Sequence, residues 1–249
     1  MVVNKLKHYG MSHCGFVRES NQDSYALCEN KGNILAVVCD GIGGGNGGDV
    51  ASKLASSFMQ GKFLMDDFTN KSDYEVKAWI LKAMKEVNDY IFTKSIADPK
   101  LYGMGTTVVG VLILKQGTYM FNAGDSRCYG IYQDDMICLS EDHTYLADLL
   151  KAGLISMEEA QNHPQKHVLT NAVGIWNEFK LDINKIKDGY DALLLCSDGL
   201  HGYVSEELMK TIIQDDLETE AKVKLLMAQS LNVGGYDNIT ILLVEGGDK

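Results

Sequence analysis

The sequence has few of the features that mark secreted, membrane-bound or zinc-binding proteins. It contains six cysteines, and no two of them form a Cys-x-x-Cys pair. Its one His-x-x-x-His spacing, His163 to His167, spans Pro164 and so makes a poor helical pair of metal ligands. We expect the histidines to lie on the surface or in loops. No apolar run approaches the ~20 residues of a membrane-spanning helix, and the first residues lack the apolar core of a signal peptide. We therefore expect no disulfide framework, zinc site or membrane anchor.

Positive charge is also scarce. Lysine and arginine number 23 against 34 acidic residues, which gives a formal net charge of −11. A chain this acidic repels polyanions, and no basic patch is evident, so nucleic acid is not an expected partner. With 45% hydrophobic residues, only two prolines and no linker, residues 1–249 are predicted to form one domain with a substantial core. The expectation is a cytoplasmic monomer.

Four aspartates stand at the ends of short apolar runs, each near a glycine or an amide side chain. They are Asp40 after residues 34–39, Asp125 after Gly124, Asp198 before Gly199, and Asp237 before Asn238. Such runs are typical of buried strands, so the acids are expected at one end of a sheet core. Two like charges about 4 Å apart repel by roughly 4 kcal/mol at an effective dielectric near 20. A cluster of this kind requires cations, and the sequence therefore predicts a metal centre with oxygen ligands.

The glycine-rich stretch after Asp40 permits a different interpretation. The segment from Gly43 to Gly48 satisfies G-x-G-x-x-G, follows a strand and opens a helix, as a dinucleotide-binding fold requires. Against this, Asp40 would face the pyrophosphate, and residues 62–66 are too few for a second parallel strand. We expect instead that the glycines let backbone carbonyls approach a metal and let the chain turn into a helix at residue 48.

Predicted strands and helices come in blocks. Strands are predicted at 8–18, 23–29, 34–39, 106–114, 117–123, 127–132, 136–139, 192–197 and 239–244. Helices are predicted at 48–60, 73–96, 145–152, 156–162, 205–213 and 217–231, and the second begins with a capping box at Ser72 to Glu75. Two long neighbouring helices between runs of largely antiparallel strands predict an α+β fold with helices outside and sheets inside.

Six short motifs follow one another along the chain. They are Gly15-Phe16-Val17-Arg18 with Asn21-Gln22-Asp23, Asp40-Gly41-Ile42-Gly43, Gly103-Met104-Gly105-Thr106-Thr107, Gly124-Asp125-Ser126-Arg127, Ser197-Asp198-Gly199, and Asp237-Asn238-Ile239-Thr240. In this order they resemble the metal-dependent protein phosphatases of the PP2C type, and most of all the bacterial serine/threonine branch. The resemblance covers about residues 10 to 244. Residues 141–144 and 169–174 also resemble family segments, which bracket a mobile flap at about 145–168.

The resemblance implies a fold and a cofactor. The fold is a central β-sandwich of two antiparallel sheets flanked by helices, in α-β-β-α layers, with two Mn²⁺ or Mg²⁺ ions at one end. Asp40 would bridge both ions, and the Gly41 carbonyl would bind one of them. Asp198 and Asp237 would complete the other. Asp125, together with Asp198, matches the site of a third, weaker ion.

The resemblance also implies an activity. Arg18 would hold the substrate phosphate, with Asp23 in the outer shell of the metal site. The reaction would be hydrolysis of phosphoserine and phosphothreonine in proteins by an activated water, reversing a eukaryotic-type bacterial kinase. One alternative is a specialised phosphatase of a small regulatory protein, and another is a metal-free module that only binds. The intact Arg18 and the metal-ligand aspartates oppose the last.

Three positions depart from the family pattern. Ile42 stands where animal relatives carry a histidine, so no histidine is assigned as the proton donor to the leaving group. Gly202 stands where some relatives have an acid, and Gln22 replaces a frequent glutamate. Weaker binding of the third ion and of the outer shell is expected. Asp142, outside the ligand set, is expected to be a turn residue.

Overall fold

The computed structural model describes residues 6–43, 47–133, 135–161, 163–165 and 168–246. Its strands are β1 (Lys7–His13), β2 (Asp23–Asn30), β3 (Asn33–Ile42), β4 (Gly105–Thr106), β5 (Val108–Leu114), β6 (Gly117–Ala123), β7 (Arg127–Tyr132), β8 (Asp135–Cys138), β9 (Asp182–Ile186), β10 (Ala192–Cys196) and β11 (Ile239–Glu245). Its helices are α1 (Gly47–Met65), α2 (Asp73–Ala97), α3 (Tyr145–Lys151), α4 (Met157–Gln161), α5 (Asp198–His201), α6 (Glu206–Gln214) and α7 (Thr219–Asn232). A single 3₁₀ turn at Pro99–Leu101 follows α2.

The strands form two sheets. One has the order β1-β11-β10-β7-β8, and the other has the order β2-β3-β5-β6-β9, with β4 paired to β3. Every strand pairing among the described residues is antiparallel. Because β3 has antiparallel partners on both sides, it cannot be the first strand of a parallel βαβ unit. The dinucleotide-binding alternative is therefore wrong. Residues 44–46 of its glycine motif lie outside the described residues.

Side-chain alternation along the central strands builds the layers. The even-numbered residues 34–38 of β3 are buried against Leu193, Leu195 and Leu242 of the opposite sheet. The odd-numbered residues 35–39 are buried in a second cluster with residues of α1 and α2. In the other sheet, Leu243 packs in a third cluster with residues of α6 and α7. Strands that are buried on both faces have continuous apolar sequences, as β3 does. The predicted α-β-β-α sandwich is confirmed.

The predicted elements match the observed ones in order, although α1 and β3 extend to Met65 and Ile42, beyond their predicted ends, and other differences have local causes. The first strand ends at His13 instead of residue 18, because Gly15 turns the chain with a φ of +80°. An ideal Cβ at Gly15 would lie 2.3 Å from the Asp237 carbonyl oxygen, so only glycine fits there. The predicted strand 106–114 is split at Thr107 into β4 and β5. Two short elements, β9 and α5, were not predicted.

Two local predictions concern the helices. The capping box of α2 is confirmed, since Ser72 Oγ accepts the Glu75 N–H and the Glu75 carboxylate accepts the Ser72 N–H. The segment proposed as a flap, 145–168, contains α3 and α4, while residues 162, 166 and 167 lie outside the described part. No helix among the described residues has the length and apolar character to cross a bilayer.

Candidate metal and phosphate site

Sheet topology brings three of the predicted aspartates to one edge. Strand β10 runs antiparallel to β7 and β11, and its last residue, Cys196, pairs with Arg127 and Ile241. The end of β10 therefore lies beside the starts of β7 and β11. Asp198 follows β10, whereas Asp125 and Asp237 precede β7 and β11. The sequence prediction that these acids gather at one end of the sheets is confirmed.

The second sheet contributes two further acids at the same end. Asp23 and Asp40 are directly opposite each other in the β2–β3 register. Asp40 lies inside β3, two residues before the end of that strand. A cavity of about 270 Å³ opens here, lined by Arg18, Gln22, Asp40, Gly41, Ile42, Gly43, Thr107, Asp125, Leu169, Asp198, Asp237 and Asn238. Of the seven predicted site residues, the cavity contains all but Asp23, which is buried.

The backbone at Asp40 is held by two threonines. The Asp40 N–H donates to Thr107 Oγ1 at 3.0 Å, and the Asp40 carbonyl accepts the Thr107 N–H at 2.8 Å. Thr106 Oγ1 donates to the same carbonyl at 2.9 Å. The sequence analysis included these threonines in a motif but gave them no role. Their role is to fix the strand that carries Asp40.

Gly41 is required by close packing. An ideal Cβ at this position would lie 2.2 Å from the Gly48 carbonyl oxygen and 2.5 Å from that of Gln22. The Gly41 N–H donates to the Gln22 carbonyl at 3.1 Å, which ties β3 to the segment before β2. A side chain at Gly41 would push α1 away from the cavity.

Asp23 lies behind the cavity wall. It is 5% exposed, and its Oδ2 accepts a hydrogen bond from Ser197 Oγ at 2.7 Å. Its Oδ1 is buried and has no hydrogen-bond partner among the described residues. Burial, and then the charges of Asp198 and Asp237, raise the pKa of Asp23. Because Ser197, which donates to Asp23, also lies outside the cavity lining, the outer-shell role assigned to Asp23 stays a prediction.

The cavity carboxylates repel one another. Burial, followed by the charges of Asp23 and Asp198, raises the pKa of Asp40 well above its usual range. Burial and then the charges of Asp198 and Asp142 raise the pKa of Asp125 to about 7. The directions of these shifts indicate that neighbouring lysines and arginines do not offset the charges of Asp40 and Asp125.

Arg18 contacts the acid cluster from the rim. Its Nη2 donates to Asp237 Oδ2 at 2.7 Å, and its side chain remains 55% exposed. The Arg18 loop is fastened by Asn238, whose Nδ2 donates to the carbonyls of Cys14 and Ser20. The sequence analysis assigned Arg18 to a phosphate. In this structure its partner is a carboxylate.

The donor set has the chemistry of a hard-cation site. The cavity lining offers carboxylate and carbonyl oxygens and, among the described residues, no thiol and no imidazole. No three acidic, histidine or cysteine side chains in the described ranges converge closely enough to hold an ion by themselves. One reason is visible, since Asp237 is turned to Arg18. Mg²⁺ and Mn²⁺ take carboxylate, carbonyl and water oxygens together, so the residues fit such ions.

Two supporting residues were missed by sequence reasoning. The His201 imidazole Nε2–H donates to the Asp125 carbonyl at 3.0 Å, and burial, then the charge of Arg127, lower its pKa to about 4. The second is Ser197, which holds Asp23. His201 could have been found, because it lies three positions after Asp198 and so on the same face of a helix.

The departures from the family pattern have local consequences. Ile42 lines the cavity, so this chain has an apolar side chain at the position where animal relatives carry a histidine. An ideal Cβ at Gly202 would lie 2.8 Å from the Asp198 carbonyl oxygen, so an acid there requires a shift of the backbone.

Comparison with known proteins places this chain in a family. The sequence model of protein phosphatase 2C matches residues 10–236. The chain belongs to the protein phosphatase 2C family. A curated relative, the serine/threonine phosphatase Stp of Listeria welshimeri, is 36% identical over 233 residues, which cover 93% of this chain and 92% of the relative. The protein phosphatase PhpP of Streptococcus pneumoniae is 32% identical over 241 residues, covering 96% of this chain and 97% of the relative.

Solved structures of the protein phosphatase 2C fold superpose closely on this chain. The serine/threonine phosphatase Stp1 of Staphylococcus aureus gives a TM-score of 0.89 at 29% identity, covering 97% of this chain and 95% of that one. The catalytic domain of the phosphatase PstP in complex with two manganese ions gives 0.81 at 28% identity, covering 96% and 97%. The predicted family and fold are confirmed.

Proposed function

We propose that the chain is a metal-dependent protein phosphatase that hydrolyses phosphoserine and phosphothreonine. The observation that carries the proposal is the single cavity that Asp40, Asp125, Asp198 and Asp237 line beside Arg18. Its support is the family membership together with the relatives, which are named serine/threonine phosphatases, and a superposed phosphatase that holds two manganese ions.

The proposed ligands are those that the sequence assigned. Asp40 and the Gly41 carbonyl would hold one of two Mn²⁺ or Mg²⁺ ions, and Asp40, Asp198 and Asp237 the other. Asp125 with Asp198 would hold a third, weaker ion. When bound, such ions lower the pKa of water and stabilise negative charge on phosphoryl oxygens. The raised pKa values of Asp40 and Asp125 support a site that cations would neutralise.

Arg18 would orient the substrate. A guanidinium has five N–H donors, so it can keep a carboxylate partner and still offer a fork to two phosphoryl oxygens. Its position on the rim, half exposed and hydrogen-bonded to Asp237, would hold the phosphate over the cavity. Charge in phosphoryl transfer spreads over the equatorial oxygens, which this fork would stabilise.

The surrounding residues would hold this geometry and set the proton source. Thr106, Thr107 and Ser197 keep Asp40 and Asp23 in place, so that little reorganisation is needed during reaction. No histidine occurs among the described residues of the lining, so the proton for the leaving hydroxyl would come from water. We also propose that the enzyme acts as a cytoplasmic monomer on phosphoproteins and opposes a serine/threonine kinase.

Turnover of a phosphothreonine peptide with Mn²⁺ tests this function. We expect release of phosphate in the presence of Mn²⁺ and its loss to background after exhaustive chelation with EDTA, with recovery when Mn²⁺ is restored. p-Nitrophenyl phosphate serves as a second substrate that needs no peptide contacts. Undiminished hydrolysis after chelation would overturn the metal-dependent mechanism, whereas hydrolysis of the small ester alone would overturn the assignment to phosphoproteins.

A further inference from the structure

Three exposed aromatic side chains lie in or next to the loops that carry Arg18, Asp198 and Asp237. Phe16 is 69% exposed, Tyr236 is 53% exposed and Tyr203 is 37% exposed. We call these three residues the aromatic rim. Each comes from a different loop, and each is within five positions of a proposed site residue: Arg18, Asp237 and Asp198 respectively. Exposed aromatic rings have a cost in water, so a group of them beside a reaction site points to a binding role.

Two glycines join Phe16 and Tyr236 into one surface. Gly234 and Gly235 both have positive φ, and the Phe16 N–H donates to the Gly235 carbonyl at 2.7 Å. An ideal Cβ at Gly235 would lie 2.9 Å from the Phe16 ring, and one at Gly234 would lie 2.5 Å from the Tyr236 ring. Both rings therefore pack on the bare backbone of one turn.

Tyr203 extends the surface toward the cavity. Its ring lies 5.6 Å from that of Tyr236, centroid to centroid, at an angle of 33°. Burial and then the charges of Asp237 and Asp198 raise the pKa of its hydroxyl, which shows that the ring is close to the cavity acids. The aromatic rim is thus continuous with the site on one side and open to solvent on the other.

The rim is pre-organised. Gly15 packs against the carbonyl oxygens of Asp237 and Gly235, and Asn238 binds the Cys14 carbonyl at 2.8 Å. These contacts lock the Phe16 loop to the Tyr236 loop independently of any ligand. A surface that needs no ordering on binding retains more of its contact energy.

We propose that the aromatic rim binds an apolar side chain next to the phosphorylated residue of a substrate protein. This inference rests on the proposed phosphatase activity and specifies its substrate class. A phosphate held by Arg18 places the substrate backbone on the rim, and neighbouring residues of an extended chain are only about 3.3 to 3.6 Å apart. The next side chain along the substrate therefore reaches the rings.

Charge and size argue against other occupants. An acidic neighbour would lose hydration against the apolar faces of the rings without gaining a paired charge from them. A basic neighbour would lie beside the Arg18 guanidinium and the proposed ions, which repel it. A second copy of the chain is disfavoured as well, because stable dimers bury about 800 Å² on each partner and three partly exposed rings offer far less.

The test uses three phosphothreonine peptides that differ only in the residues immediately before and after the phosphothreonine: leucine, lysine or aspartate. With saturating Mn²⁺, we expect kcat/KM for the leucine peptide to exceed that for the aspartate peptide roughly tenfold, as expected when a leucine side chain loses about half of its exposure to water. The ratio is the readout because both peptides react at the same phosphate site.

Substitutions in the rim should remove this preference. We expect Phe16→Ala or Tyr203→Ala to lower the leucine-to-aspartate ratio to about threefold and the double variant to abolish it, whereas Tyr203→Phe, which keeps the ring, retains it. Tyr74→Ala is the matched control, since Tyr74 is 81% exposed at the start of α2, away from the cavity. A melting curve of each variant confirms folding.

Each outcome has one meaning. Equal kcat/KM for the three peptides in the wild-type protein would overturn the inference while leaving the phosphatase activity intact. A preference for the lysine peptide that the rim variants lose would show a cation–π surface and overturn the apolar assignment. Hydrolysis of p-nitrophenyl phosphate with no turnover of any peptide would overturn the proposed function itself.

Discussion

Two sets of carboxylates lie near each other at the same end of the sandwich, in opposite electrostatic states. In the cavity, Asp40 and Asp125 have pKa values raised by burial and by neighbouring acids. Beside it, Asp142 accepts hydrogen bonds from Arg127 Nη2 at 2.7 Å and Nε at 3.0 Å. The charges of Asp40 and Asp125 are not offset by the protein, although Asp237 beside them contacts Arg18, whereas Asp142 is neutralised by Arg127.

Asp182 is a second paired acid, since Lys180 Nζ lies 3.1 Å from its Oδ2 and a histidine orients the same carboxylate. His143 is 5% exposed, and its Nε2 faces Asp182 Oδ2 at 2.9 Å. Its Nδ1 accepts the Gly124 N–H and an Asn171 N–H, so the proton lies on Nε2 and is donated to the carboxylate. The sequence analysis expected histidines on the surface or in loops, and His143 does lie in a loop, but it is buried there. His143 and Asp142 hold the Gly124–Asp125 turn in place, and this turn carries one of the cavity acids.

The comparison separates stability from function. A buried ion pair costs desolvation energy and must be complete, because removing one partner leaves a buried charge. Uncompensated acids destabilise the fold, and natural proteins keep such residues where activity requires them. Removing a cavity acid should therefore harm catalysis, and removing a supporting acid should harm folding.

The largest effect is expected at Asp198. Asp198→Ala should reduce phosphate release to background, because Asp198 is a proposed ligand of both the two-metal centre and the third metal ion. Asp125→Ala should impair turnover but leave two ions bound. Titration calorimetry with Mn²⁺ counts the ions in both variants. If Asp125→Ala loses the two tight ions, the division between a core pair and a third site is wrong.

The effects on stability should be the opposite of the effects on catalysis: the supporting-acid variant should lose stability and the cavity-acid variant should not. In EDTA, Asp142→Asn should lower the free energy of unfolding by about 2 to 3 kcal/mol, less than a fully buried pair because its side chain and that of Arg127 are 18% and 28% exposed. That corresponds to a fall in Tm of roughly 4 to 12 °C for a chain of this size. Asp40→Asn should leave Tm unchanged or higher, because it removes a like charge from a crowded site.

Thermal melts of the two variants, measured side by side without metal, decide this comparison. The turnover of the same two variants is the control. The folded Asp142→Asn protein should retain turnover with Mn²⁺, whereas Asp40→Asn should not. A destabilised Asp40→Asn protein would show that Asp40 has a structural role and would erase the contrast.

The sequence predicted those features that depend on short-range pattern. Apolar runs gave the strands, and their ends located Asp40, Asp125, Asp198 and Asp237, because antiparallel strands return to the same edge. Period and capping signals gave α2 almost to the residue. The roles assigned to these acids as metal ligands remain predictions.

The missed features depend on contacts between distant segments. Strand β9 is half exposed, and its sequence, Asp182–Ile186, has lysine and asparagine among its five residues, so no apolar pattern indicates it. Asp142 was expected to be a turn residue because aspartate favours turns, and it does lie outside the helices and strands. Its ion pair with Arg127 was missed, because that contact joins β7 to the segment after β8. The Arg18–Asp237 contact joins positions 219 residues apart, and the pattern at neither position indicates it.

Arg18 gives the smallest expected effect and the sharpest test, because it contacts a cavity acid in the way that Arg127 contacts a supporting one. Its side chain is 55% exposed, so as a surface ion pair it is worth about 0 to 1 kcal/mol, and Arg18→Ala should melt within a few degrees of wild type. If it grips the phosphate, the lost charge-assisted hydrogen bonds, about 1.5 to 3 kcal/mol, should lower kcat/KM on a phosphothreonine peptide roughly ten- to a hundredfold. Arg18→Lys should recover only part of this, since a point charge lacks the planar fork. Wild-type kcat/KM in a well-folded Arg18→Ala protein would place Arg18 with Arg127, as a supporting residue, and would leave the phosphate to the metal site alone.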